Sequence, residues 1–152
     1  MIPILSTNQI GSHIHIASHL IRRSLDAQLS ALNLTGLQAR VLEMIGDSQN
    51  RGQDIFQRDI EQTFRIRRSS VTSVISNLET SGYVQRCSVQ NDARLKKLTL
   101  TEKGWEARQS FFDILNDFEQ TLQSEFTEAE YKKLLEMLVR IETKLCDCRE
   151  KK

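Results

Sequence analysis

Apolar residues recur at helical spacing along most of the chain. The first run, about Ile10 to Leu32, places them at positions 14, 17, 21, 25 and 29, and a break at residues 33–36 ends it. Thr35 stands three residues before Gln38, which is the spacing of a capping box and predicts the start of a second helix. We expect that helix to end before a polar loop at residues 46–52.

Two shorter helices are predicted in the middle of the chain. They cover about residues 57–63 and 68–80, and the turn Phe64–Arg67 joins them as in a helix-turn-helix. The second helix has an apolar stripe at i, i+3, i+4 and i+7 that begins at Val71. Gly82 is expected to end it in a left-handed conformation.

A basic hairpin is predicted to follow. Residues 83–89 and 95–100 have the pattern of strands on either side of a polar turn at residues 90–93. An arginine at the tip of such a hairpin can enter a narrow minor groove of DNA, where the potential is most negative. The cations that cluster around this turn are Arg86, Arg94, Lys96 and Lys97.

The ends of the chain are predicted to form further helices. Thr101 is expected to cap a helix that continues to Leu122, and Thr127 with Glu130 forms a capping box ahead of the last helix. Together with the first helix, these carry more apolar surface than one small central core can cover. This favours a homodimer, and an intrachain bundle without a partner is the alternative.

These elements predict a mainly α fold with a small β-hairpin wing. We expect one domain at residues 1–152, with a winged helix-turn-helix lobe at residues 36–104. Flanking N- and C-terminal dimerisation helices are expected at residues 8–34 and 105–150. Dimerisation would place two copies of the 68–80 helix one DNA turn apart, at ~34 Å.

The charge of the chain is unevenly distributed although its net value is only +1. Residues 51–104 carry ten Lys and Arg against six Asp and Glu, whereas residues 105–152 carry eight against eleven. A basic middle favours a polyanionic partner, with chance clustering as the alternative.

The 68–80 helix has an acid-free polar face up to Glu79. Short hydroxyl and amide side chains can reach base edges or phosphates, and arginines bind guanine or phosphate with two hydrogen bonds. Serine, threonine and asparagine are mediocre helix formers, so a merely solvated face is the weaker interpretation. The predicted DNA-contacting face consists of Arg67, Arg68, Ser69, Ser70, Thr72, Ser73, Ser76 and Asn77.

The sequence does not favour an enzyme or a cofactor. It contains none of the strings GxGxxG, GxxxxGK, HExxH or GxSxG. His15 and His19 share a helix face without a nearby carboxylate or cysteine, so we expect solvated or pocket-lining histidines and no metal site.

An odd number of cysteines without scaffold spacing favours a reducing compartment. With no signal-peptide pattern and no apolar run long enough for a membrane span, a cytoplasmic protein with no membrane partner is expected. Cys87 is expected to be a small buried residue, with a redox switch as the alternative. Cys146 and Cys148 are expected to be ordinary or surface thiols.

The middle of the chain contains a series of short motifs, which are Gln57-Arg-Asp-Ile-Glu61, Ser70-Val-Thr72, Leu78-Glu79…Gly82-Tyr83-Val84…Arg86, Asp92-Ala-Arg94 and Leu98-Thr-Leu-Thr101…Gly104. Together with the flanking helices, they resemble the MarR family of bacterial transcriptional regulators, and the resemblance covers nearly the whole chain.

The resemblance implies a homodimer that binds a pseudo-palindromic operator in double-stranded DNA. It also implies a repressor that is relieved by a small aromatic or phenolic effector or by oxidation. By position, the recognition helix maps to residues 68–80, the wing arginine to Arg94 and its orienting carboxylate to Asp92. Two departures are Arg67, where the family often has Ser or Thr, and residues 1–86, which lack the early cysteine of the oxidation-sensing branch.

The function predicted from the sequence is therefore a sequence-specific DNA-binding regulator whose effector alters the spacing of the two recognition helices. Two alternatives remain: a winged-helix protein-interaction module without DNA readout, and a metal- or redox-responsive regulator. The candidate effector-pocket residues are His15, His19, Arg22, Phe111 and Phe112.

Overall fold

The computed structural model describes residues 9–89 and 92–150, with the side chains of residues 9–89 and 95–146. The elements of this part of the chain are a set of α-helices, one short 3-10 turn and a β-hairpin. In chain order they are α1 (Ile10–Leu29), the 3-10 turn (Ser30–Leu32), α2 (Gly36–Asn50), α3 (Gln57–Phe64), α4 (Arg68–Thr80), β1 (Val84–Val89), β2 (Asp92–Leu100), α5 (Glu102–Gln123) and α6 (Glu128–Glu150). The mainly α fold with a β-hairpin wing is confirmed.

The chain divides into two compact units, Met1–Ile114 and Leu115–Lys152. The first unit contains α1 to α4, the hairpin and the beginning of α5. The second contains the rest of α5 and α6. The domain limits expected from the sequence, including the dimerisation segments, stay a prediction. In the described residues, no helix is both long enough and apolar enough to cross a bilayer.

The core of the first unit lies between its central helices and the hairpin. The fully buried side chains of this core cluster come from α2, α3, α4 and β2, and they are Val41, Leu42, Ile45, Ile60, Val71, Ile75, Leu78 and Leu98. The stripe predicted on the 68–80 helix therefore faces inward, which leaves the opposite side of α4 in solvent.

The local signals at the helix ends are confirmed. The Thr35 side chain accepts from the backbone N–H of Gln38 at 3.3 Å, and the Gln38 side chain accepts from the backbone N–H of Thr35 at 2.8 Å. Gly82 has a φ of 77°, in the left-handed region. Thr101 Oγ1 accepts from the N–H of Gly104 at 3.1 Å, so it caps α5.

The polar loop predicted at residues 46–52 is wrong over its first part, because α2 continues to Asn50. Residues that lie far along the chain bind and stabilise this last part of α2. Gln49 Oε1 accepts from the backbone N–H of Leu100 at 2.7 Å, and Asp47 forms an ion pair with Arg108 at 2.5 Å. Gly46 allows the Arg108 side chain to lie against the helix, since a Cβ at this position would collide with it.

The hairpin is antiparallel, with Val84 opposite Leu100 and Ser88 opposite Lys96. The predicted turn at residues 90–93 is too long, because β2 already begins at Asp92, after an irregularity in the register beyond Ser88. Gln90 and Asn91 lie outside the described residues.

A third backbone segment joins the hairpin and was not predicted. Phe56 forms an isolated antiparallel bridge with Lys97, and Leu98 N–H donates to the carbonyl of Ile55 at 2.8 Å. Because Phe56 immediately precedes α3, this bridge joins the wing directly to the helix-turn-helix.

Candidate nucleic-acid interface

The outer face of α4 is polar, basic and exposed to solvent. Val71, Ile75 and Leu78 are buried on its inner side. Every residue of the predicted DNA-contacting face is exposed: Arg67, Arg68, Ser69, Ser70, Thr72, Ser73, Ser76 and Asn77. The structure thus brings together these eight side chains on one surface, as the sequence pattern predicted, and the contacts to DNA themselves stay a prediction.

The N-terminus of α4 is arranged to attract an anion. Arg67 is the extended N-cap residue, and its carbonyl accepts from Ser70 N–H at 2.9 Å and Val71 N–H at 3.1 Å. Its side chain does not cap the helix. Within the described residues, the Arg67 and Arg68 side chains form no ion pair or hydrogen bond. Two unpaired guanidinium groups therefore lie at the positive end of the helix dipole.

The hydroxyl groups on this face differ in their hydrogen bonds. Thr72 Oγ1 donates to the carbonyl of Arg68 at 2.9 Å, and Ser73 Oγ donates to that of Ser69 at 3.1 Å. Thr72 Oγ1 also accepts from Gln57 Nε2 at 2.8 Å. This contact joins the first residue of α3 to the exposed face of α4.

Arg65 is a candidate site residue that the sequence analysis did not include. It is exposed at the end of α3 and has a left-handed backbone with φ 51° and ψ 41°. Turns between such helices often contain glycine at this kind of position. The sequence signal that could have identified Arg65 is an arginine in a turn where glycine is expected.

The cations of the wing are mostly engaged within the protein. Arg86 Nε donates to Glu79 Oε2 at 3.0 Å, and Lys96 Nζ donates to Ser88 Oγ at 2.6 Å. Arg86 and Lys96 are both exposed, so they can still reach a nucleic acid. The side chains of Asp92 and Arg94 lie outside the described part of the chain, and their predicted roles stay a prediction.

Lys97 lies at the base of the wing and faces Asp54. Its Nζ donates to Asp54 Oδ1 at 2.8 Å. This hydrogen bond, followed by the charge of the carboxylate, raises the pKa of Lys97. Lys97 is therefore held against the strand segment that leads into α3.

The candidate effector-pocket residues occupy two different environments. His15, His19 and Arg22 are exposed on α1. Phe111 is buried, and the Phe112 ring lies 4.5 Å from the Arg108 guanidinium carbon. Their role as a pocket stays a prediction.

A separate open cleft of about 360 Å³ lies in the first unit, between the 3-10 turn and the start of α5. The predicted pocket residues do not line it. Its lining consists of Ala31, Leu32, Asn33, Tyr83, Lys103, Glu106, Ala107 and Ser110.

The cysteines give a mixed result. Cys87, predicted to be buried, is only half-buried, with its Sγ 3.5 Å from Thr99 Oγ1, because its side chain lies on the partly open face of a two-stranded hairpin. Cys146 is exposed, as a surface thiol should be, and the Cys148 side chain lies outside the described residues. No group of three or more metal-ligating side chains occurs among the residues that the structure describes.

The helices α3 and α4 follow one another, α4 presents its polar face to solvent, and the hairpin is bonded to the residue that immediately precedes α3. This arrangement defines a winged helix-turn-helix protein. Residues 32–95 match the sequence model of the MarR family. This match makes the part of the chain from the 3-10 turn to the beginning of β2 similar to the MarR family.

Two curated relatives are similar to this chain. The transcriptional regulator BilQ of Clostridioides difficile is 29% identical over 59% of this chain and 60% of its own length. The match therefore spans less than two thirds of that relative. The transcriptional regulator PecS of Dickeya dadantii is 28% identical over 87% of this chain and 79% of its own length.

Among solved structures, the Staphylococcus aureus MepR–DNA complex superposes with a TM-score of 0.77 at 23% identity. The alignment covers 93% of this chain and 99% of MepR. This similarity shows that the fold is shared over nearly the whole chain.

Proposed function

We propose that the protein is a sequence-specific DNA-binding transcriptional regulator that inserts α4 into the major groove and lays its wing along the flanking minor groove. The observation that carries this proposal is the exposed, acid-free face of α4 beginning at Arg67 and Arg68. Solved MepR bound to DNA supports it, since that protein has the same fold. The regulator is proposed to be a repressor that a small aromatic effector releases.

Two copies of the chain are needed to read a pseudo-palindrome. Many large apolar side chains are exposed among the described residues, and all but Leu95 lie on α1, at the end of α5 or on α6 and the turn before it. These are Ile10, Ile14, Leu20, Ile21, Leu122, Phe126, Leu135, Met137, Val139 and Leu145. Exposed apolar surface of this extent is typical of a protein interface. We therefore infer a homodimer formed through the terminal helices.

The test is a fluorescence-anisotropy titration of the purified protein with duplexes obtained by in vitro selection, compared with random duplex. We expect selected duplex to bind much more tightly and the affinity to fall steeply between about 50 and 200 mM salt, because several phosphates are neutralised. Arg67→Ala and Arg68→Ala should each weaken binding about tenfold.

Arg40→Ala is the matched control, since it removes the same charge from an exposed position on α2. We expect this variant to bind as the unsubstituted protein does. Equal binding by the Arg67, Arg68 and Arg40 variants, or a flat response to salt, would favour a protein-interaction module instead.

We propose effector release because the resemblance to the MarR family implies it. It is tested by adding phenolic compounds to the preformed complex and measuring the loss of anisotropy. If His15 and His19 line the pocket, the double alanine variant should need more compound for half-release while binding DNA normally. A response to zinc or copper, or to an oxidant that Cys87→Ser abolishes, would favour the metal- or redox-responsive alternative.

A further inference from the structure

Gln57 lies half-buried at the start of α3, where its amide group forms two hydrogen bonds. Gln57 Nε2 donates to Glu61 Oε1 at 3.1 Å and to Thr72 Oγ1 at 2.8 Å. An ionised carboxylate only accepts hydrogen bonds, so the NH₂ side of the amide must face Glu61. Its second N–H is then directed at Thr72, and the orientation of the amide is fixed by chemistry.

The hydroxyl group of Thr72 is fixed in turn. Because it accepts from Gln57, its single proton is directed to the carbonyl of Arg68, at 2.9 Å. A hydroxyl has one donor, so Thr72 cannot donate a further hydrogen bond to guanine, to thymine O4 or to a phosphate oxygen. A β-branched side chain in a helix is already restricted at χ1, and the two bonds restrict it further.

With its proton and one lone pair engaged, Thr72 still offers a ligand its methyl group and the second lone pair of its oxygen. Thr72 is exposed, and it is the one residue of the DNA-contacting face with a methyl group, since the other members are arginine, serine and asparagine. The apolar partner that the major groove presents is the C5-methyl group of thymine.

We propose that Thr72 is a specificity-determining residue that contacts a thymine methyl group, and that Gln57 is the positioning residue that holds it for this contact. The inference rests on the proposed function, because it requires α4 to lie in the major groove. It changes the expected role of Thr72 from a hydrogen-bonding residue to an apolar one.

The experiment replaces each thymine of a selected duplex, one at a time, by uracil, which lacks only the methyl group. We expect one position in each half-site to lose affinity about fourfold, the value of one buried methyl group. Thr72→Ser keeps the hydroxyl and removes the methyl from both subunits, so it should bind the thymine duplex about fifteenfold more weakly and no longer distinguish uracil at that position.

Gln57→Ala tests the positioning role through the thymine-to-uracil affinity ratio. The ratio should fall toward one at the same position although Thr72 is unchanged. Gln62→Ala, at an exposed position of the same helix, is the control and should keep the full ratio. A ratio that survives in Gln57→Ala would overturn the positioning role.

The two proposals fail in different ways. Specific binding without a uracil effect at any position, or a uracil effect that persists in Thr72→Ser, would overturn the thymine contact and leave the proposed function intact. Binding to selected duplex no tighter than to random duplex would overturn the proposed function, and with it the inference.

Discussion

Arg65 holds a backbone conformation that arginine adopts at a cost. Its φ of 51° and ψ of 41° lie in the left-handed region, which costs a residue with a Cβ about 1 kcal/mol relative to glycine. Strain of this kind is often retained at functional sites. An exposed cation in the turn that precedes α4 is consistent with a contact to the DNA backbone.

We therefore expect Arg65→Gly to raise the free energy of unfolding by about 1 kcal/mol and to weaken operator binding. Urea denaturation and anisotropy measure the two effects. Asn33→Gly is the control, because Asn33 also has a left-handed φ, of 53°, but follows the first helical segment. It should leave operator binding unchanged. A less stable Arg65→Gly protein would contradict the strain argument.

Gly104, near the start of α5, is the glycine that the packing most strictly requires. A Cβ there would collide with the carbonyl oxygen of Tyr83 and lie 3.2 Å from Leu100 Cβ. Since a backbone carbonyl cannot move aside like a flexible side chain, Gly104→Ala should lower the free energy of unfolding by about 2 kcal/mol.

The control for this prediction is Gly11→Ala in α1, where nothing lies within 4 Å of the added Cβ. It should be neutral or stabilise by up to about 1 kcal/mol, because alanine is the better helix former. Urea denaturation of both variants gives the comparison. Equal stability of the two would show that α5 can move away from Tyr83.

At the scale of the element, α6 begins with a capping box whose carboxylate is electrostatically favoured. Glu130 Oε2 accepts from the backbone N–H of Thr127 at 2.9 Å and from its hydroxyl at 2.7 Å. The backbone bond, followed by the hydroxyl bond, lowers the pKa of Glu130. This cap therefore stabilises the helix above the ordinary glutamate pKa, and the contribution is lost as the pH falls through the lowered value.

Thr127→Ala should raise the Glu130 pKa part of the way toward its ordinary value, since the backbone bond remains. An NMR titration of the Glu130 carboxyl carbon measures the shift. Thr143→Ala is the control, because Thr143 lies on the same helix and donates to the Val139 carbonyl instead of a carboxylate. An unchanged Glu130 pKa in Thr127→Ala would contradict the assigned cause.

The elements that could be predicted from the sequence are those with local signals. The limits of α4 follow from its apolar stripe and from Gly82, and both capping boxes are visible as residues three positions apart. The end of α2 could not be predicted, because it depends on Gln49 bonding to the backbone of Leu100. The bridge between Phe56 and Lys97 was missed for the same reason, since the partner lies far along the chain.

At the scale of the whole molecule, the sequence predicted which residues form the surface of the candidate interface. It did not predict the contacts that these residues make with the rest of the protein. Residue type and helical periodicity were enough to place eight side chains on the outer face of α4. The engagement of Arg86 by Glu79 and of Thr72 by Gln57 could not be predicted, because it requires the packing of separate elements. Such contacts decide which groups are left to bind a ligand.

The last prediction concerns the assembly that a two-fold operator requires. Leu135 and Val139 lie one turn apart on α6 and are 45% and 57% exposed. If this surface is covered by a second copy, Val139→Glu places a charge in the interface and should convert the dimer to a monomer in sedimentation velocity. Operator affinity should fall much more than tenfold, because one subunit then binds one half-site without the effective concentration that linkage supplies.

Lys144→Gln makes the same change in net charge at an exposed position on the opposite side of α6, and it should remain a dimer. A Val139→Glu protein that stays dimeric and binds normally would place the interface elsewhere on the terminal helices.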